Sequence, residues 1–275
     1  MFKILENKTI APNLYRMTIS APRIALHRQP GQFVIVHADA QAERIPLTIA
    51  SADPHEGTIT LFVQAVGYST HQLVNMCIGS YVRDIAGPLG HPTHIERWGR
   101  VTCIGGGVGT AVVYPMAMAL ARAGNQVTAI IGGRTAQLII LAEELDAFCH
   151  QVLITTEDGS LGQKGFVTNV LSALVHDETL RPQAVFAAGP VPMMRAVVEM
   201  TRPYDIRTTV SLNPIMIDGT GMCGGCRVMI NKEMKFACVD GPEFDGHEVD
   251  FDLLADRLTT YKKEECRLFK SLQDD

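Results

Sequence analysis

The densest concentration of reactive side chains is D-G-T-G-M-C-G-G-C, running Asp218 to Cys226, with Cys238 beyond it. Three thiols in so short a glycine-rich stretch read as a metal site. Plant-type [2Fe-2S] sites use C-x4-C-x2-C followed by a later fourth cysteine, and this chain keeps that spacing with Asp218 in the first place. Asp218, Cys223, Cys226 and Cys238 are therefore the candidate ligands, a carboxylate being a harder donor than thiolate that can still ligate ferric iron. Two other readings stand beside this one. Asp218 is a turn residue ahead of Gly219, with Cys266 or an outside group as fourth ligand; or the whole cluster is structural zinc, which accepts three cysteines and one other ligand. Closely spaced glycines let amide N–H groups approach cluster sulfurs, which favours iron–sulfur over zinc.

A second run, Gly105, Gly106, Gly107, Val108, Gly109 and Thr110, follows an apolar strand and opens a helix. Bare backbone there lets a pyrophosphate approach amide N–H groups at the positive helix end. The spacing G-G-G-x-G is not G-x-G-x-x-G, and a tight turn with close helix packing would account for it equally well. Three more strand ends change the balance: Gly132 to Thr135, with Gly133, Arg134 and Thr135; Thr156 to Ser160, with Glu157 and Asp158; and Ala187 to Pro190, with Gly189, Pro190 and, one turn on, Met193. In a parallel sheet all of them face one crevice, so a nucleotide site is the better reading. No acidic residue follows IIGG directly, and Arg134 could serve a ribose hydroxyl or a 2'-phosphate.

Earlier in the chain, RIPLTIAS (Arg44 to Ser51) sets a permanent cation and a hydroxyl beside an apolar strand. VGYST (Val66 to Thr70) offers small and hydroxyl side chains to a phosphate. From chemistry alone a surface arginine and an ordinary turn are the favoured readings of these two motifs.

The elements that must position these residues follow from periodicity. LYRMTIS, QFVIVHA and TITLFVQA alternate between turn residues and imply an antiparallel barrel or sandwich over 1–97. From Val101 apolar strands (VTCI, QVTAIIGG, QVLITT, AVFAAG) alternate with helical stretches (AVVYPMAMALARAG, QLIILAEELDAF, GFVTNVLSALV, VPMMRAVVEMTR). That predicts a parallel sheet with crossover helices over 98–207. A small cysteine-bearing domain with a polar, helical tail occupies 208–275. The 275 residues are 47% hydrophobic and 19% charged, enough to bury a sizeable core. A net charge of -5 and a pI near 6.0 give no reason to expect nucleic acid or an anionic membrane as partner. The uncharged run 101–121 is long enough to cross a bilayer, but its glycines and proline break it into strand, turn and helix. MFKILENK carries no secretory signature, and seven cysteines, an odd number, argue against a disulfide framework, so a cytoplasmic protein is expected.

Taken in order, these motifs resemble electron-transfer subunits built like ferredoxin-NADP reductase with a [2Fe-2S] domain appended. Members of this family serve dihydroorotate dehydrogenase, sulfhydrogenases and NADH-dependent reduced ferredoxin:NADP oxidoreductase. The resemblance covers essentially the whole chain. It implies a flavin-binding β-barrel, a parallel-sheet NAD(P)-binding domain and a cluster domain. Arg44 would meet the FAD pyrophosphate, and Pro46, Leu47 and Thr48 would line the isoalloxazine ring. Val66, Gly67, Ser69 and Thr70 would form a second FAD phosphate loop, GGGVGTA the dinucleotide loop, and AAGPVPMM the strand end near the nicotinamide. Where the dihydroorotate type has cysteine this chain has Asp218, which brings it nearer the transhydrogenase-type small subunit. The implied cofactors are FAD, NADH and a [2Fe-2S] cluster. Hydride transfer needs no general acid or base, and no catalytic residue is assigned. One cluster motif without a second catalytic constellation implies an obligate partner with further flavin or iron–sulfur centres; the resemblance implies that this partner is a larger subunit with flavin and [4Fe-4S] centres, through which ferredoxin is reached, in a heterodimer.

Overall fold

The structure is a computed structural model and describes residues 2–260; Cys266 and the expected helical tail lie outside the described residues. The chain forms two compact units, neither of them continuous in sequence. One takes the chain up to His91, then Asn213–Pro242 and the chain from Asp250; the other takes Pro92–Leu212 and Glu243–Val249.

The first unit begins with strands β1 (Phe2–Ala11) and β2 (Leu14–Ser20), helix α1 (Pro22–His27), and strands β3 (Phe33–His37), β4 (Arg44–Asp53) and β5 (Thr58–Gln64). Helix α2 (Tyr68–Val74) and strands β6 (Tyr81–Val82) and β7 (Asp84–Leu89) complete it. The sheet order is β6-β1-β2-β5-β4-β3-β7, antiparallel throughout. Only Arg83 separates β6 from β7, so one stretch of chain pairs with both edges and closes the sheet into a barrel. Inward side chains fill it by strict alternation: Met17 and Ile19 on β2, Val34 and Val36 on β3, Ile59, Leu61 and Val63 on β5 are all sealed.

The second unit contains β8 (Arg100–Gly106), α3 (Gly109–Arg122), β9 (Gln126–Gly133), α4 (Ala142–Asp146), β10 (Gln151–Thr156), β11 (Gln163–Lys164), α5 (Val167–His176), β12 (Ala184–Ala188), α6 (Val191–Thr201) and β13 (Arg207–Ser211). These strands are parallel, in the order β11-β10-β9-β8-β12-β13. Strands covered on both faces need continuous apolar runs, and every residue of β12 is buried. Helix α3 turns Val113, Met116, Ala117 and Leu120 onto the sheet and stops at Gly124, whose φ of +86° suits a helix end. The charge-free run 101–121 is thus divided between a strand and a helix, and among the described residues no helix is long and apolar enough to cross a membrane. One expectation is corrected: QLIILAEELDAF forms an α-helix only over α4, with a single 3-10 turn at Ala136–Leu138 before it, because Leu141 takes a left-handed conformation with φ +59° between them.

The remaining elements are β14 (Arg227–Ile230), β15 (Glu233–Phe236), α7 (Ala237–Asp240), β16 (Glu243–Asp245) and α8 (Phe251–Leu258). β14 and β15 form a hairpin whose two loop residues, Asn231 and Lys232, have φ of +49° and +64°, the signature of a type I' turn. β16 leaves the hairpin's unit and pairs antiparallel with β13, completing the second unit's sheet.

Candidate cofactor sites

The hairpin explains the position of two thiols. Cys226 immediately precedes β14 and Cys238 follows β15, and the register Arg227 to Phe236 sets the two ends side by side. Their sulfurs lie 3.1 Å apart, both residues are buried, and the Ala237 amide donates to the Cys226 carbonyl at 3.0 Å. Burial, together with the neighbouring Cys226, pushes the Cys238 thiol up to about 12. Cys223 is exposed, and its sulfur accepts the Gly225 amide at 3.4 Å. Asp218 takes the Thr220 amide at 2.9 Å on one carboxylate oxygen and the Cys223 amide at 2.7 Å on the other. These bonds, Thr220's first, hold its carboxyl below the usual carboxylate range. Among the described residues no group of three His, Cys, Asp or Glu side chains converges on one point as a mononuclear site would require. The donors fall instead into two pairs, Asp218 with Cys223 and Cys226 with Cys238. Three thiols and a carboxylate, two by two on a glycine-rich loop, fit a dinuclear iron–sulfur group.

That loop rests on the outside of the barrel. A β-carbon on Gly219, whose φ is +74°, would stand 2.6 Å from Leu89 Cδ1 and 2.8 Å from Ile35 Cγ1. Likewise one on Gly90 would stand 2.8 Å from both Phe33 Cε1 and Pro242 Cδ. Ile35 pairs with Pro46 across the β3–β4 ladder and Phe33 pairs with Thr48. Pro46 and Thr48 remain half-buried beside this covered strip. Leu47 points the other way and packs on the barrel core, so only its backbone reaches the outer face.

Arg44 is exposed, and among the described residues its only ion pair is a loose one of 3.9 Å with Asp84. Val66 is two-thirds exposed, and no atom lies within 4 Å of where a Gly67 β-carbon would be, leaving the open backbone that a phosphate loop requires. The hydroxyls of that loop are used internally. Thr70 Oγ1 accepts the amides of Val66 and Gly67, each at 3.0 Å, and buried Ser69 accepts the Glu43 amide at 2.8 Å. Ser69 and Thr70 thus shape the loop, while Arg44 and the open backbone at Gly67 are what fit the phosphates of a flavin dinucleotide.

In the second unit, strand order reverses between β8 and β12, the point where open α/β sheets bind ligands. Both strand ends carry glycine there. A β-carbon on Gly109 would collide with the Ala188 carbonyl oxygen, and one on Gly106 would stand 2.5 Å from Met193 Sδ. Gly189, with φ +158°, lies under the same Met193 and close to Gly106. Gly107 differs: its φ is +56° and nothing lies within 4 Å of its missing side chain. Among the described residues no side chain caps the first turn of α3. Close-packing glycines on either side of an open, uncapped one therefore fit a dinucleotide's pyrophosphate. Val108 and Thr110 belong to this turn, Thr110 buried with its amide on the Gly107 carbonyl. Other predicted loops join it. The Gly107 amide donates to the Gly132 carbonyl at 2.8 Å, Glu157 and Asp158 amides donate to the Gly133 and Arg134 carbonyls, and the Ala136 amide, next to Thr135, reaches Ser160 Oγ at 2.8 Å. Ser160 in turn occupies Asp158, holding its carboxyl below the usual range, and Arg134 stays exposed. Pro190 caps α6 and is exposed.

Sequence reasoning does not single out Glu243. It sits in a stretch read only as acidic, yet Thr93 Oγ1 donates to it at 2.6 Å and enclosure pushes its carboxyl up to about 7. Its signal in the sequence is weak, because its partner lies 150 positions away.

Comparison with known proteins agrees with this architecture. Residues 2–94 match the oxidoreductase FAD-binding domain, 103–199 the oxidoreductase NAD-binding domain, and 213–250 the iron-sulfur cluster binding domain of dihydroorotate dehydrogenase B. The chain is 43% identical over 263 residues to a dihydroorotate dehydrogenase B (NAD(+)) electron transfer subunit homolog of Thermotoga maritima, covering 96% of this chain and 92% of that protein. It is 32% identical over 255 residues to the dihydroorotate dehydrogenase B electron transfer subunit of a Geobacillus species, covering 90% and 96%. Among solved structures, a chain of NADH-dependent reduced ferredoxin-NADP oxidoreductase, described for flavin-based electron bifurcation, superposes with a TM-score of 0.93. It is 40% identical, with 99% of this chain and 98% of that one covered. With FAD-binding, NAD-binding and iron–sulfur domains in one polypeptide, the chain belongs to the family of oxidoreductase electron-transfer subunits of the dihydroorotate dehydrogenase B type.

Proposed function

We propose that this chain oxidises NADH at FAD and delivers the electrons singly, through a [2Fe-2S] cluster, to a larger partner subunit. The observation that carries the reading is the seating of Gly219 on Ile35 and of Pro242 beside Phe33, within one compact unit. Those two barrel residues are the cross-strand partners of Pro46 and Thr48, so the ligand-bearing loop adjoins the half-open shelf of β4. When bound, FAD takes up the electron pair of a hydride and yields it one electron at a time, the regime a cluster requires.

The chain's own residues bind and orient. Arg44 supplies a guanidinium for the flavin diphosphate, and Pro46 and Thr48 with the Leu47 backbone present the ring's shelf. Gly105 to Thr110 accept the nicotinamide dinucleotide's pyrophosphate at the first turn of α3, with Gly133 to Thr135, Glu157 and Asp158 on one side and Gly189, Pro190 and Met193 on the other. Asp218 and Cys223 form one ligand pair, Cys226 and Cys238 the other. The partner assigned here is a subunit carrying further flavin and [4Fe-4S] centres, as suits a ferredoxin-NADP oxidoreductase, and the 0.93 superposition supports it. A dihydroorotate dehydrogenase partner is the second reading, favoured by the names of the sequence relatives.

The test is a visible absorption spectrum of anaerobically purified protein before and after NADH, with iron and zinc assayed on the same sample. Bleaching of a flavin band with two irons per chain is the expected result. A colourless, zinc-containing protein would overturn the proposal. Identification of the co-purified subunit separates the two partners.

A further inference from the structure

Strand β16 gives the nucleotide unit a carboxyl group that its parallel strands lack. Ala187 pairs with Val210 and Val210 with Phe244, so Glu243 falls on the next rung, that of Ala188 and Gly105. Its side chain is neither sealed nor open, and Thr93 Oγ1 fixes it at 2.6 Å. It therefore stands on the carboxyl-edge rung of the sheet, on the β12–β13 side of the switch point. Chemistry assigns the two halves of a dinucleotide there. The 2'-position of the adenosine ribose is read at the end of the strand after the glycine loop, here β9 with Arg134, so the nicotinamide half lies toward β12 and β13.

The oxidised nicotinamide ring is a cation and the reduced ring is neutral. Resting on the nucleotide-site reading above, we infer that Glu243 distinguishes the two redox states of the bound nicotinamide: as a carboxylate it favours the oxidised form, and when protonated it loses that preference.

Its surroundings allow the ionisation to be its own. From β8 it is faced by Cys103, whose thiol burial keeps neutral. On the 92–99 stretch His94 and Glu96 pair with each other at 2.8 Å, and Arg207 on β13 stacks over Trp98 at 5.7 Å. Asp245, two residues along on its own strand, bonds the His247 amide, and His247 meets Thr201. Tyr114 is the titratable side chain in the N-terminal half of α3, and it packs on Phe148. Enclosure places the change near neutrality, where the Thr93 hydroxyl favours the ionised form against it.

The test is calorimetric titration of the full chain with NAD+ and with tetrahydro-NADH, a neutral analogue that cannot reduce the flavin, at about pH 6 and about pH 8. The ratio of the NAD+ to the analogue Kd is expected to fall about tenfold as pH rises, within the usual range of coupling between two binding events. It should stay flat in Glu243→Gln, and its midpoint should move upward in Thr93→Val, which removes the hydroxyl. A flat ratio in the unsubstituted protein overturns the inference whether or not the variants fold. A full pH response in Glu243→Gln, or an unmoved midpoint in Thr93→Val, overturns its assignment to this pair. Binding of neither nucleotide overturns the nucleotide-site reading and the inference with it.

Discussion

Gly219 lies directly on Ile35: a β-carbon added to the glycine would come within 2.8 Å of Ile35 Cγ1. The close approach and the positive φ both require glycine there. Gly219→Ala should lift the cluster loop off the barrel at a cost of about 1–3 kcal/mol. Iron content per chain and the rate of cluster reduction after rapid mixing with NADH should both fall. Unchanged reduction kinetics would show that the seating of the loop does not matter to transfer.

Cys226 and Cys238 share one end of the hairpin and serve a different role from the barrel. Cys226→Ser, nearly equal in volume, should lose the greater part of the iron while flavin per chain stays near its normal value. Parallel loss of flavin would mean that the cluster segment holds the barrel's site together.

Asp218 carries two backbone amides, so it organises its loop whether or not it touches iron. Asp218→Cys should shift both the EPR spectrum and the midpoint potential of the cluster, since a thiolate is a softer donor. An unchanged spectrum and potential would confine Asp218 to the loop.

Two glycines of one loop should respond in opposite ways. Gly109→Ala drives a methyl into the Ala188 carbonyl and should lower the melting temperature by several degrees, about 1–3 kcal/mol of overpacking. Gly107→Ala meets open space and costs only about 1–2 kcal/mol of left-handed strain, but it narrows the place where a pyrophosphate fits. The expected signature is weaker NAD+ binding with a smaller loss of stability.

Glu243 should also mark the pH dependence of folding. Its folded pKa, about 7, lies above the ordinary 4.5, so the folded state holds its proton more tightly. The resulting stabilisation is complete below pH 4.5 and disappears as pH rises through 7, a span worth about 3 kcal/mol. Thermal melts from pH 5 to pH 8 should show this decline, and Glu243→Gln should flatten it.

Much of this was legible in the sequence because it rests on local patterns. Alternation along LYRMTIS and TITLFVQA marks strands whose inward residues fill the barrel, and the apolar runs from Val101 mark strands covered on both faces. Cysteine spacing marks the cluster loop without reference to the fold. What stayed hidden depends on distant pairing. Three residues of β16 are too few to declare themselves a strand, and only the edge of β13 makes them one. Nothing in VGYST tells that Thr70 would bond its own loop's amides, nor in RIPLTIAS that Leu47 would turn to the core while Pro46 and Thr48 stay outside. Leu141 ended an otherwise helical pattern through a backbone conformation that periodicity does not encode.

The interleaving of the two units bears on how this protein can be cut. Removing everything after Leu212 would take away not only the cysteines but the strand that shields β13, leaving Arg207–Ser211 with an open row of backbone donors and acceptors. Such a row recruits other chains. A nucleotide-binding fragment made this way would be prone to self-association, and a short peptide spanning Glu243–Val249 added in trans would be its natural remedy. The cysteine-bearing segment is therefore no detachable cassette: its last residues hem the edge of a neighbouring sheet.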